Sequence, residues 1–370
     1  MPMLFGDLFI HLTWANALAL VLLGLVGGVI SGFAGSGAAF IMTPGMMNLR
    51  VPGVVAVGSN MAHRFGNNMM GAKRHAGLGN VDKRLSILLL VTALIGVQIA
   101  VWINSALFKM GGGEGHEGGG GAMSNLYISL IFIGVLTFVG AFMLRDAVRP
   151  RDSKEGSGPS MKLANMLSRL PLPPTIHFPV ADVRISLWLV LLLGLVVGFL
   201  DGTVAIGGFL GVPAMIYLFG VPTTVATGSE LFMAMFGGAW GAISYAYQGF
   251  VDLRLSCLLL LGSLMGVYIG AYGTKVVKEV LVRLVASSII LLCVVSRAVA
   301  VPVYLRQLHL LHFSEGWEPW LKGASTAILF AAGVGGAGLV LFYVVKATLE
   351  RRKVHATLLV RKSAADGRVS

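Results

Sequence analysis

The sequence predicts an all-α polytopic membrane protein. It reads as two inverted repeats of about five helical elements each, with broken, short helices near the midplane, and one extra C-terminal transmembrane helix. Three observations carry this: long apolar runs, a self-match at a shift of 170 residues, and the division of basic residues among the loops.

Of 370 residues, 56% are apolar and 12% charged, and mean hydropathy is +0.83. Soluble globular chains carry roughly 25% charged residues. Runs at 15–30, 85–103, 126–144, 186–200, 255–272, 281–296 and 325–345 reach or approach the roughly 20 residues that span hydrocarbon. A β-barrel would show short alternating segments instead. The net charge of +12 does not point to nucleic acid, because the basic residues cluster in loops between apolar runs. The lipid bilayer is the partner that this pattern implies, and nothing in the sequence indicates an oligomer. No Lys or Arg precedes Arg50, so a cleaved signal peptide with a basic start is not expected. Cys257 and Cys293 lie in apolar runs and read as two buried small hydrophobes rather than a disulfide or metal pair.

Elements follow in order. The first half places helices at 15–33, 38–49, 54–72, 85–104 and 126–145. The second places them at 186–205, 208–219, 224–246, 255–273 and 281–297, and an extra helix occupies 325–346. The halves align as LLGLVGGVISG at 22–32 with LLGLVVGFLDG at 192–202. Val51-Pro52 matches Val221-Pro222, Gly58-Ser59 matches Gly228-Ser229, and Val81-Asp82 matches Val251-Asp252. A polar loop repeated in register does not arise from composition alone. The fifth helices end alike, with RDAVRP at 145–150 against RAVAVP at 297–302.

Loop charge sets the expected orientation. Loop 73–84 carries four basic residues and one acid, segment 145–184 seven and four, and segment 346–370 seven and two. Loop 109–125 carries one and two. The positive-inside rule then places 73–84, 145–184 and the C-terminus in the cytoplasm, with the N-terminus outside an inner (plasma) membrane. An odd number of crossings per half puts 248–254 outside, which inverts the halves. The division is a first repeat at 1–149, a cytoplasmic linker at 150–184 and a second repeat at 185–300. An external loop and extra helix at 301–346 and a basic tail at 347–370 complete it. Residues 111–121 (GGGEGHEGGGG) read as a flexible external loop, with a metal contact by His116, Glu114 and Glu117 disfavoured.

In each half the first helix runs into a Gly-rich break and then a short helix. The breaks are Gly32 to Gly37 and Gly202-Thr203 with Ile206 to Gly208. Twelve residues of helix at 38–49 rise only about 18 Å against a core of roughly 30 Å. A helix N-terminus at membrane depth favours an anion, and paired broken segments point to a transporter's central site. Gly35, Ser36, Gly37, Gly207 and Gly208 are therefore candidate binding residues. Gly24-Gly28-Gly32 and Gly194-Gly198-Gly202 are small-xxx-small ladders and read as packing surfaces.

The third helix carries Asn60, His63, Arg64 and Asn67 at i, i+3, i+4 and i+7, one polar stripe. Arg64 is the only Lys or Arg deep in a predicted span. It needs a cavity or a partner, and it is expected to project toward Gly35–Gly37. Two readings stand: contact with an anionic substrate, or a structural pair with Asp201 or Glu230. At the repeat shift Asn60 becomes Glu230, Arg64 becomes Ala234 and Ser31 becomes Asp201. One half thus supplies cationic donors and the other supplies carboxylates. Asp201 and Glu230 are candidate coupling residues as proton carriers, and Ser59 and Ser229 are candidate hydroxyl donors.

The segments GFAGSGAAFIMTP at 32–44 and DGTVAIGGFLGVP at 201–213 resemble the sulfite exporter TauE/SafE permeases. So do VGSNMA at 57–62, TGSELF at 227–232 and the Gly-x-Val-Asp loops at 79–82 and 249–252. The resemblance spans about 22–297. It implies secondary transport of a small sulfur-containing anion, such as sulfite or an organosulfonate, with no cofactor and no ATP-binding subunit. The polar run at 61–84, loop 111–121 and the helix at 325–346 depart from that pattern. Two other readings are weighed: a cation or neutral-solute carrier using Asp201 and Glu230, and an intramembrane enzyme using His63 with either acid. The enzyme reading lacks an HExxH spacing or a nucleophile elbow.

Overall fold

The computed structural model describes residues 12–34, 39–111, 121–148, 162–167, 172–276 and 279–366. The first half comprises α1 (Trp14–Ala34), α2 (Ala39–Asn48), α3 (Gly53–Gly77), α4 (Lys83–Met110) and α5 (Ala122–Val148). The second comprises α7 (Leu187–Val204), α8 (Gly207–Phe219), α9 (Thr223–Tyr247), α10 (Leu253–Val276) and α11 (Glu279–Gln307). Between them lie α6 (Lys162–Leu167) and an antiparallel hairpin, β1 (Thr175–Phe178) with β2 (Val183–Ser186). Helix α12 (Trp317–Asp366) follows. Seven of these helices (α1, α4, α5, α7, α10, α11 and α12) are long and apolar enough to cross a membrane. At 25 residues, α3 and α9 have the length to cross.

Packing between the halves is reciprocal. Helix α1 packs on α10 and its repeat equivalent α7 packs on α4, while α3 packs on its own equivalent α9. The glycine ladders make the first two contacts. A Cβ at Gly24 or Gly28 would overlap the α10 backbone at Leu259 or Ser263. At Gly194 and Gly198 it would overlap α4 at Leu89 and Ala93. Backbone cannot yield as a side chain can. Gly198→Val is therefore expected to destabilise the protein by at least about 1–3 kcal/mol, lowering the thermal midpoint in detergent. Gly134→Ala on α5, with nothing within 4 Å of the added atom, is the matched control and should melt like the parent.

The repeated polar loops are clamped crosswise. Asp252 N–H donates to Ser59 Oγ at 3.0 Å, and the Ser256 hydroxyl donates to Ser59 O at 2.8 Å. In the mirror contact, Asp82 N–H donates to Ser229 Oγ at 3.0 Å and the Ser86 hydroxyl to Ser229 O at 3.1 Å. Asp82 also caps α4 by accepting Leu85 N–H, and its other oxygen accepts Val180 and Ala181 N–H from the hairpin turn at 3.0 and 3.1 Å. Loop 78–82 and the hairpin thus share one end of the molecule. At the far end of α4, Lys109 donates to Gln248 at 3.0 Å and Phe108 stacks edge-on against Phe250. The repeat-equivalent loops at 78–82 and 248–252 therefore lie at opposite ends of α4, a 28-residue helix about 42 Å long.

Three segments depart from the sequence reading. The connector before the second repeat contains a folded hairpin, whose Phe178, Ala181 and Ile185 enter an apolar cluster with Leu85, Leu89 and Phe219. Helix α11 does not stop near Arg297 but runs through Pro302 to Gln307, because membrane helices tolerate an internal proline when neighbours satisfy the freed carbonyl. Helix α12 extends over the segment expected to be a tail, as far as Asp366. Both cysteines are free. Cys293 is buried as expected, but Cys257 is exposed on α10, on a membrane helix where a small hydrophobe needs no protein neighbour.

Candidate functional site

Helix α7 ends where Ala205 adopts a left-handed conformation (φ 61°), and α8 starts two residues later. Three side chains hold this break open. The Thr43 hydroxyl donates to Val204 O at 3.2 Å and accepts from Asn60 Nδ2 at 2.9 Å. Arg64 forms an ion pair with Asp201 and lies 3.4 Å from Ala205 O, both through Nη1. Gly207 N–H donates to the same Asp201 oxygen at 2.8 Å. Asp201 thus joins the start of α8 to the guanidinium.

Among the described residues, Arg64 meets the break of the opposite half. The reason is the α3–α9 packing, which carries each third helix across to the partner repeat. Gly35, Ser36 and Gly37 lie outside the described residues, as do His116, Glu114 and Glu117. Of the two carboxylates considered as Arg64's partner, Asp201 is the one engaged. Glu230 is 2% exposed, and neither of its carboxylate oxygens has a hydrogen-bond partner among the described residues.

A small cavity opens between the halves. From α3 it is lined by His63, Arg64, Asn67 and Asn68, and from α9 by Thr227, Glu230 and Ala234. Gly208 and Phe209 line it from α8, Ser31 from α1, and Ser263 from α10. His63 Nε2 lies 2.8 Å from Ser263 Oγ. The polar stripe on α3 therefore converges on one space, together with Gly208 and Glu230. Gly207 and Asp201 lie directly behind it. Asn60 is directed to Thr43 rather than into the cavity. Ser59 and Ser229 do not line it either, since their hydroxyls hold the loops described above.

Two buried groups escaped the sequence reading. Asn68 lines the cavity at i+8 from Asn60, on the same helical face. Arg297, 1% exposed, contradicts the expectation that Arg64 is the only deeply placed cation. It sits inside α11 and donates to Asn48 Oδ1 on α2 and to Ser325 Oγ on α12. Reading the helix as ending at Arg297 concealed it.

The family model described as "Sulfite exporter TauE/SafE" matches residues 20–297. The chain is 25% identical over 276 residues to the probable membrane transporter protein YjnA of Bacillus subtilis (strain 168). That match covers 74% of this chain and 97% of the relative. It is 22% identical over 272 residues to the probable membrane transporter protein YdhB of the same organism, covering 71% and 93%. No solved structure gives a significant match.

Proposed function

The chain belongs to the sulfite exporter TauE/SafE family of membrane transporters, and from that premise we propose that it carries a small sulfur-containing anion, sulfite or an organosulfonate, across the inner membrane by secondary transport. One observation carries the reading. Arg64 uses only Nη1 on the protein, and no described acceptor engages its Nε or Nη2, in a residue that lines the cavity between the halves. A guanidinium edge offers paired donors that match a sulfonate or carboxylate. Asn67, Asn68 and Gly208 at the start of α8 supply further donors around it. Asp201 positions Arg64, and Glu230 is the coupling acid.

Binding of sulfite, alkanesulfonates, sulfate and carboxylates to purified protein tests this. Saturable binding of sulfur-containing anions, with flux in proteoliposomes, is expected. Binding restricted to cations would overturn it. The cation-carrier reading draws on one observation of its own: Asp201 already neutralises Arg64, so an ionised Glu230 leaves the cavity negative.

The inverted arrangement is part of this proposal, and is supported by equivalent loops lying at opposite ends of α4. Single cysteines at 73–84 and in the hairpin should react only from the cytoplasmic side, and those at 248–252 and 308–316 only from outside. Equal accessibility of the two equivalent loops would exclude inversion.

A further inference from the structure

The cavity holds acceptors that no donor among the described residues reaches. Among the described residues, neither oxygen of Glu230 has a hydrogen-bond partner. Ser263 Oγ donates to Leu260 O at 3.2 Å, so it accepts from His63 Nε2–H, which leaves His63 Nδ1 as a bare lone pair, also without a donor. A plain anion brings only more acceptors to such a place.

The repeat shows why Glu230 lacks a partner. Its first-half equivalent, Asn60, bonds the Thr43 hydroxyl. At the 170-residue shift Thr43 becomes Pro213, which has neither hydroxyl nor N–H. The carboxylate lies instead against Gly211, where a Cβ would overlap it. The charged or titratable groups around it are His63 and Arg64 on α3, with Asp201 behind Arg64. Helices α1, α2, α8 and α10 contribute Ser31, Met42, Gly208 and Ser263, none of which carries a charge.

Resting on the sulfonate reading above, we propose that the carried species is a short aminoalkanesulfonate, whose sulfonate binds Arg64 and whose ammonium replaces a proton on Glu230. In the empty carrier the Glu230 O–H bond is intact and the carboxyl is neutral. On loading, that bond breaks, the proton leaves to solvent, and the carboxylate accepts the ligand's N–H groups. Proton and substrate then exclude each other at one residue, which is the condition for exchange of one against the other.

The test uses purified full-length protein in weakly buffered detergent solution with a pH-indicator dye. Aminoethanesulfonate and aminopropanesulfonate are each compared with the des-amino compound. The amino ligands should bind at least ~10-fold more tightly and release about one proton each. The des-amino ligands should release none. Lowering the pH should weaken only the amino ligands, because protons compete for the same carboxylate. Glu230→Gln should erase both the preference and the proton release. Equal affinity within a wild-type ligand pair, or binding without proton release, overturns the proposal and needs no variant to fold. Failure of every sulfonate to bind overturns the anion reading beneath it instead.

Discussion

Arg64→Ala is expected to lower the affinity for the transported anion by at least ~10-fold. The variant keeps the backbone donors at the start of α8 but deletes a full charge, and a hydrogen bond to a charged group contributes roughly 1.5–3 kcal/mol. Each 1.4 kcal/mol is a factor of ten. Arg64→Lys should rescue only in part, because an ammonium on the same stem cannot hold Asp201 and still present a two-pronged edge to the ligand. The ion pair complicates a single variant. Without Arg64, Asp201 is a buried carboxylate that keeps only Gly207 N–H, and breaking such a pair typically costs about 3–5 kcal/mol of stability. The decisive protein is therefore Arg64→Ala/Asp201→Ala. Removing both charges should restore thermal stability toward wild type while anion binding, measured by calorimetry, stays weak. Recovery of affinity along with stability would reduce Arg64 to a structural clamp.

What the sequence disclosed and what it hid divide along physical lines. A charge at membrane depth costs several kcal/mol, so Asn60, His63, Arg64 and Asn67 stood out on an apolar helix. Three of these four line the cavity. Gly194 and Gly198 were legible as packing surfaces because a small residue every fourth position lies on one helical face, and both contact α4. The identity of Arg64's partner was not legible. Asp201 and Glu230 are both single acids in apolar helices, and only the crossing of α3 over α9 decides between them. Ser263 gave no signal, since a lone serine in a membrane helix looks like any other. Arg297 was hidden because the fifth helix reads as ending there, whereas α11 runs on through Pro302, an ordinary interior residue in a membrane helix. Ser59 and Ser229 lie outside the cavity lining, and their hydroxyl oxygens accept from the repeat's own loops. Hydroxyls beside charged positions suggest ligand contact, but the repeat needs them to hold its own polar loops.

Glu230→Gln is expected to reduce pH-gradient-driven flux in proteoliposomes by at least ~10-fold, while binding of a des-amino sulfonate at fixed pH stays within a few-fold of wild type. Glutamine keeps the size and shape that fit against Gly211 and cannot release a proton. A buried carboxylate without a protein partner is tolerable only with a proton or a cationic ligand. On the proposal above, the wild-type residue alternates between those two states, and the variant is left in the neutral one. Asp201 is the other acid at this depth, but it is already the acceptor for Arg64 and for Gly207 N–H. Protonating it would loosen Arg64 and the start of α8 together, so Asp201→Asn should weaken anion affinity and stability rather than coupling alone. The two variants thus separate by which quantity fails. Should Glu230→Gln retain full stimulation by a pH gradient, the proton passes elsewhere and Glu230 is no coupling residue. Should Asp201→Asn instead abolish coupling while anion affinity is preserved, the roles of the two acids are reversed. The same liposomes decide it, because counterflow at equal pH on both sides reports substrate movement without drawing on the proton gradient.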